Sequence, residues 1–199
     1  LTKNPFIALK IIPANTSIPC FTLLSHCIVI KEPFLVNKCE DILPGVKTYT
    51  VDSTPADCVR VAQYYLNEHF DIVLSGINNG YNLGEDILYS GTVGAASEGV
   101  LCGKKAIAFS TARNNFDKLE EELNKIITYI IENELIEKHS LWNINIPINP
   151  KGVMYTSQGC TNFDAYYELV GKDLIFSRGG PDFAREKDKV GSDVCAVYN

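Results

Sequence analysis

The side chains best suited to chemistry lie between residues 75 and 92, directly after the short apolar run 72–74. Asparagine and acidic residues alternate there with glycine, and Ser90, Gly91 and Thr92 precede a stretch of small residues that favours a helix. Hydroxyl groups and free backbone N–H groups at the start of a helix form a favourable site for phosphate. We therefore predict that Ser90, Gly91 and Thr92 bind a phosphate group.

An ordinary structural explanation exists for each of these residues, because asparagine and glycine form turns and serine caps helices. The density of polar groups favours a functional site instead. A loop of about fifteen residues without secondary structure of its own is usually functional or disordered. This one follows the run 72–74, which predicts a strand buried on both faces. Such a loop would lie at the carboxyl edge of a parallel sheet, where open α/β folds bind ligands.

The elements that position this segment follow from apolar periodicity, which predicts alternating strands and helices. A helix over 56–67 begins with Thr54 as its cap and Pro55 in its first turn, and its dipole accounts for the acid at Asp57. A long amphipathic helix over 116–137 carries a solvated charged face. The other predicted strands are 7–12, 27–30, 46–51, 106–110 and 142–146.

Three motifs in order along the chain resemble one known family, the survival protein E (SurE) 5′/3′-nucleotidases. The resemblance covers roughly residues 25–199 and is strongest between 50 and 110. Its motifs are Thr54-Pro55-Ala56-Asp57-Cys58, then Ser75-Gly76-Ile77-Asn78 with Tyr89-Ser90-Gly91-Thr92-Val93, and finally Asn143-Ile144-Asn145-Ile146-Pro147. Three motifs at family spacing are far more specific than any one of them.

The resemblance implies an α/β fold, namely a Rossmann-like three-layer sandwich with a mostly parallel sheet and a smaller C-terminal β extension. We expect residues 1–150 to form the core and residues 151–199 to form the extension, which pairs subunits into a homodimer or homotetramer in the family. The implied activity is metal-dependent hydrolysis of phosphomonoesters, with nucleoside 5′- and 3′-monophosphates as substrates.

The resemblance implies a divalent metal ion, Mg²⁺ or Mn²⁺, with Asn78 as one of its ligands. Counting back from His26 places Thr22 at the position of the family's serine ligand. Amide and hydroxyl oxygens suit such hard cations. The family's adjacent aspartate pair has no counterpart here. We therefore expect the first strand to be missing and the C-terminal end to be short, which leaves the chain marginally stable unless residues 1–12 fill the vacancy.

The remaining loop residues receive supporting roles. We expect Asn82, Gly80 and Gly84 to shape the loop, while the catalytic residue stays unassigned, with Asp86 as a candidate because it matches an acidic position of the family loop. The histidines, at positions 26, 69 and 139, are isolated and are not predicted to be catalytic.

Two other functions compete with the nucleotidase. The first is a catalytically impaired or non-catalytic relative that retains phosphate binding, because a lone amide cannot neutralise charge as two carboxylates do. The second is a dinucleotide-binding module, which is weaker because no G-x-G-x-x-G follows a strand and opens a helix.

Composition limits the partners. The net charge of −6 argues against a nucleic-acid polymer, whereas a small phosphomonoester needs only a local site. Seven cysteines without C-x-x-C spacing fit reduced thiols in a cytoplasmic protein. No apolar run approaches the roughly eighteen residues of a membrane span, so no membrane partner is expected.

Overall fold

The computed structural model describes residues 7–10, 26–40, 44–116, 119–161, 163–181 and 189–199. The chain has the predicted Rossmann-like α/β fold. Its strands are β1 Ile7–Lys10, β2 Val36–Cys39, β3 Lys47–Val51, β4 Ile72–Asn79, β5 Lys105–Thr111, β6 Leu141–Ile146, β7 Phe163–Gly171 and β8 Leu174–Pro181. Its helices are α1 Pro55–Arg60, continued by a π-helical turn over Val61–Tyr65, then α2 Asp86–Tyr89, α3 Gly91–Leu101, α4 Leu119–Glu132, α5 Leu135–Lys138 and α6 Asp193–Tyr198.

The sheet that carries the predicted site has the order β4-β5-β6, and all its strands are parallel. Asn78 of β4, Ser110 of β5 and Asn145 of β6 are aligned across it, close to the carboxyl ends of the strands. A second sheet has the order β1-β3-β2, in which β1 runs parallel to β3 and β2 runs antiparallel. The strands β7 and β8 form a separate antiparallel hairpin.

Helices cover both faces of the site-bearing sheet because β5 alternates between large and small side chains. Ile107 and Phe109 pack against α4 and α5, whereas Ala106 and Ala108 pack against α3. The small residues on the second face let α3 approach the sheet closely, since a Cβ at Gly99 would lie 2.7 Å from Val73 Cγ2. This arrangement confirms the three-layer prediction.

Most predicted elements are confirmed, among them the strands over 46–51, 106–110 and 142–146. The helix predicted over 116–137 is interrupted between α4 and α5, where Glu134 has a positive φ of 52°. Its predicted charged face is confirmed, because Lys125 pairs with Glu121 and Glu122 at 2.7 and 2.9 Å. Within the ranges described above, no helix is long and apolar enough to span a membrane.

The strand predicted over 27–30 is wrong, because this segment bonds to side chains rather than to a neighbouring strand. The hydroxyl of Thr54 donates to the carbonyl of Cys27 at 2.6 Å, and the backbone N–H of Val29 donates to Asp57 Oδ2 at 3.0 Å. We call residues 26–29 the strap. It lies across the start of α1, so Asp57 fixes the strap in addition to its helical role.

Two predictions about β4 are also wrong. Leu74 is 53% exposed, so the run 72–74 is not buried on both faces, because β4 lies at the edge of its three-stranded sheet. The strand also continues to Asn79 and α2 begins at Asp86, which makes the intervening loop shorter than predicted. The residues Ile7–Lys10 lie beside β3.

Candidate phosphate site at the sheet edge

The start of α3 and the end of β4 lie at the same edge of the sheet. Gly99, near the end of α3, packs against Val73 and Ala106, near the starts of their strands, so α3 runs antiparallel to the sheet. Eight residues of helix back to Gly91 span roughly 12 Å, and four residues of strand from Val73 to Ile77 span roughly 13 Å. The first turn of α3 therefore reaches the level at which β4 ends.

The first turn of α3 has hydrogen-bond donors available for an anion. Ser90 is the N-cap, and its Oγ accepts the N–H of Val93 at 3.2 Å. Among the described residues, nothing accepts from the N–H groups of Gly91 and Thr92 or from the Thr92 hydroxyl. These donors combine with the positive end of the helix dipole. Ser90, Gly91 and Thr92 thus form a local arrangement that suits a phosphate group.

Asn78 is the second-last residue of β4, and its amide is held in one orientation. Its Nδ2 donates to the carbonyl of Gly80 at 2.7 Å, which leaves Oδ1 without a donor among the described residues. The preceding Gly76 must lack a side chain, because a Cβ there would lie 2.5 Å from the carbonyl oxygen of Phe109. An oriented, partly exposed amide oxygen is a ligand type that hard cations accept.

The loop after β4 is anchored by the third motif, a role that sequence reasoning did not assign. Asn82 is buried, and its backbone N–H donates to Asn145 Oδ1 at 2.8 Å. Its carbonyl accepts from Asn143 Nδ2 at 2.9 Å and from Asn145 Nδ2 at 3.0 Å, and its own Nδ2 donates to Ser110 Oγ at 2.7 Å. We call these residues the asparagine clamp; it fixes the loop over the aligned row of strand ends.

The second half of the loop is bound to the C-terminal part of the chain. Gly84 has a φ of +51°, and its N–H donates to Asp193 Oδ2 at 2.9 Å. Glu85 accepts from the thiol of Cys160 at 2.7 Å and from the Thr161 hydroxyl at 2.8 Å. These hydrogen bonds, that of Cys160 first, lower the pKa of Glu85 to about 2. Glu85 is therefore a structural anion.

Asp86 has the opposite electrostatic environment. Burial, followed by repulsion from Glu85 and Asp193, raises its pKa to about 6. Burial, followed by the charge of Asp86, raises the pKa of Tyr198. A carboxyl group that titrates near neutral pH is able to transfer protons, so Asp86 stays a prediction for that role.

The strap is held by a buried acid that the sequence did not indicate. Glu98 of α3 accepts from His26 Nε2 and from Arg60 Nη1, both at 2.9 Å. The prediction that His26 is isolated is therefore wrong, because the residue is part of this hydrogen-bond network. Its backbone packs on α3 at Gly94, where a Cβ would lie 2.9 Å from His26 Cα.

The described residues provide only part of a divalent-metal site. Asn78 Oδ1 fits as one ligand, whereas Thr22 lies outside the described residues. Across the described ranges, no three histidine, cysteine or acidic side chains are grouped so as to hold a metal ion. The described donor set thus fits an anion better than a complete cation shell.

Comparison with known proteins agrees with the motifs. Residues 21–165 match the family described as Survival protein SurE. The 5′-nucleotidase SurE of Syntrophomonas wolfei is 39% identical over 188 residues, which covers 87% of this chain and 69% of the relative. The 5′-nucleotidase SurE of Caldanaerobacter subterraneus is 33% identical over 193 residues, which covers 86% of this chain and 72% of that relative. The crystal structure of the SurE protein from Aquifex aeolicus superposes with a TM-score of 0.65 at 32% identity, covering 89% of this chain and 74% of that one.

Proposed function

Because the chain belongs to the Survival protein SurE family, we propose that it hydrolyses nucleoside 5′- and 3′-monophosphates at the β4–β6 sheet edge. The observation that carries this proposal is the set of donors at the first turn of α3, level with Asn78. The net charge of −6 disfavours a nucleic-acid polymer as the substrate.

The chain's own groups bind and orient the phosphate. The N–H groups of Gly91 and Thr92 and the Thr92 hydroxyl donate to phosphate oxygens, and Ser90 keeps the helix start in place. Fixed donors of this kind stabilise charge on a transferring phosphoryl group without reorganising. Water then attacks in line with the departing nucleoside oxygen, and Asp86 is our candidate for the proton transfer.

We further propose that the reaction depends on Mg²⁺ or Mn²⁺, with Asn78 Oδ1 as a ligand and Thr22 as a second one. Such an ion, when bound, supplies charge neutralisation for the phosphate oxygens. The carboxylates that would complete its shell are not found near Asn78 among the described residues. The second candidate function is phosphate binding without hydrolysis, which needs only the donors of Gly91 and Thr92 and no metal ion.

Phosphate release from a nucleoside 5′-monophosphate, measured with Mn²⁺, with Mg²⁺ and with a chelator, separates these two functions. Metal-stimulated release that is lost in Asn78→Ala supports the nucleotidase. Folded protein that binds inorganic phosphate but releases none under all three conditions would support the non-catalytic alternative.

We propose that the β7–β8 hairpin mediates a homodimer or homotetramer. One face exposes Tyr167, Leu169 and Ile175, each at least 60% accessible. The other face is mixed, because Arg178 pairs there with Glu168 at 2.9 Å beside the exposed side chains of Leu174 and Phe176. An isolated two-stranded hairpin is marginally stable in water, so pairing its apolar face with a second copy stabilises it. The free thiols of Cys39, Cys58, Cys102 and Cys195 support a reducing, cytoplasmic location.

A further inference from the structure

The turn after β5 carries an arginine that none of the motifs include. This turn is fixed against the end of β4, because the N–H of Asn114 donates to Asn79 Oδ1 at 2.8 Å. The N–H of Gly80 also donates to the carbonyl of Thr111 at 3.0 Å. Arg113 therefore projects from a rigid support at the same sheet edge as the proposed phosphate site.

Arg113 and Asn78 flank the same glycine. A Cβ placed on Gly80 would lie 3.9 Å from Asn78 Nδ2 and 4.0 Å from Arg113 Nε. Gly80 has a φ of +149°, which side chains rarely adopt, so the space between the two groups stays open. The guanidinium group thus lies beside the end of β4.

The charge of Arg113 is not neutralised within the described part of the chain. Arg113 is exposed and forms no ion pair there. The neighbouring Glu85 is directed elsewhere, because its carboxylate binds Cys160 and Thr161. A planar guanidinium group with several donors matches the oxygens of a phosphate and binds them in pairs.

We propose that Arg113 is a phosphate-binding residue that contacts the phosphoryl group held at the first turn of α3. This inference rests on the proposed function and adds to it a cationic side chain of this chain's own. Arg113 supplies positive charge where the amide of Asn78 and the backbone donors of α3 supply only dipoles. It therefore binds the doubly charged monophosphate more strongly than the uncharged nucleoside.

The test is the affinity for inorganic phosphate, measured by titration calorimetry on the full chain and on three variants. Arg113→Ala is expected to weaken phosphate binding about tenfold or more, as loss of a hydrogen bond to a charged group does. Arg113→Lys retains the charge but loses the paired donors, so about threefold weaker binding is expected. Lys138→Ala removes an equal charge at the opposite edge of the sheet and is expected to bind as the wild type does.

The outcomes separate this inference from the proposed function. Equal phosphate affinity in the wild type and Arg113→Ala overturns the role of Arg113 and leaves the nucleotidase proposal standing. Equal losses in Arg113→Ala and Lys138→Ala also overturn it, because net charge alone then explains them. A wild-type chain that binds no phosphate refutes the proposed site and Arg113 together. Circular dichroism checks that each variant is folded. The Arg113 variants are expected to fold, because Arg113 is exposed.

Discussion

The carboxylate of Glu98 accepts a hydrogen bond from His26 at 2.9 Å, although the two residues lie 72 positions apart. The Glu98 side chain is only 4% exposed, and its other oxygen accepts from Arg60. A buried acid that accepts hydrogen bonds from two side chains joins α1, α3 and the strap. Because the strap packs on α3 near its start, this network supports the part of the fold that carries the phosphate donors.

Glu98→Ala is therefore expected to destabilise the fold by about 2 kcal/mol, since hydrogen bonds to charged groups contribute roughly that much. His26 and Arg60 are partly exposed and regain water, which limits the loss. Urea denaturation measures the change. Glu121→Ala, which removes an exposed acid paired with Lys125, is the matched control, with an expected loss of about 0.5 kcal/mol or less. Equal losses in the two variants would contradict the network's role.

Thr92→Val is expected to weaken phosphate binding by about 1–2 kcal/mol, or roughly tenfold, because one hydrogen bond is lost while the side-chain volume is kept. Thr92→Ser retains the hydroxyl and should bind phosphate nearly as well as the wild type. Titration calorimetry with inorganic phosphate gives both affinities. Unchanged affinity in Thr92→Val would remove the hydroxyl from the site.

The fold was predictable from the sequence where local pattern decides it. Strand β5 contains the apolar run 106–109, β6 alternates apolar residues with Asn143 and Asn145, and α1 begins with the Thr54 cap hydrogen bond that its sequence predicts. The strap over 26–29 was not predictable, because its partners Thr54, Asp57 and Glu98 are remote and act through side chains. The exposure of Leu74 depends on which strand neighbours β4, and local sequence does not carry that information.

The candidate site also contains residues that local sequence predicts and residues that it does not. The donors at Ser90, Gly91 and Thr92 were predictable because helix starts have a local sequence signature. The asparagine clamp was not assigned, although Asn143 and Asn145 lie two apart and hence on one face of β6, a spacing that points both side chains the same way. Arg113 was not predictable, because a single arginine after a strand forms no recognisable sequence pattern.

Asn145→Leu tests the asparagine clamp. The substitution removes one hydrogen bond from the backbone N–H of the buried Asn82 and one from its carbonyl. We expect the free energy of unfolding to fall by about 2–4 kcal/mol. Asn145→Asp retains the acceptor and loses the donor, so a smaller loss is expected. Urea denaturation of both variants beside Asn133→Ala, an exposed asparagine at the end of α4, gives the comparison. A clamp variant as stable as the Asn133 control would refute the clamp.

Leu169→Lys tests the hairpin as an interface. A charge placed on the apolar face is costly to bury, so the variant is expected to shift the oligomer toward the monomer at equal protein concentration. Sedimentation velocity measures the populations. Lys172→Glu, which changes charge at the hairpin turn, should leave the distribution unchanged. A Leu169→Lys distribution identical to that of the wild type would exclude this face from the interface.

The last prediction concerns Asp86, whose pKa rises from 3.8 in the unfolded chain to about 6 in the fold. The native state then binds more protons than the unfolded state between these values, so stability falls as pH rises from about 4 to about 6. Asp86→Asn removes this dependence. Because the Asp86 carboxyl group keeps part of its hydration, we expect the free energy of unfolding of the wild type to fall by about 1–2 kcal/mol relative to the variant between pH 4 and pH 6.

Glu85 does not obscure the Asp86 measurement, because its pKa falls to about 2 and its stabilising contribution is lost as the pH falls through 4.5, the pKa of the unfolded state. At pH 4.5 Glu85 is half protonated in the unfolded state, but its contribution is the same in the wild type and in Asp86→Asn and cancels from their difference. Urea denaturation at pH 4.5, 6 and 7 therefore isolates Asp86, with Asp173→Asn in the hairpin turn as the control for a general charge effect. A stability difference between the wild type and Asp86→Asn that stays constant over these pH values would refute the raised pKa and, with it, the suitability of Asp86 for proton transfer near neutral pH.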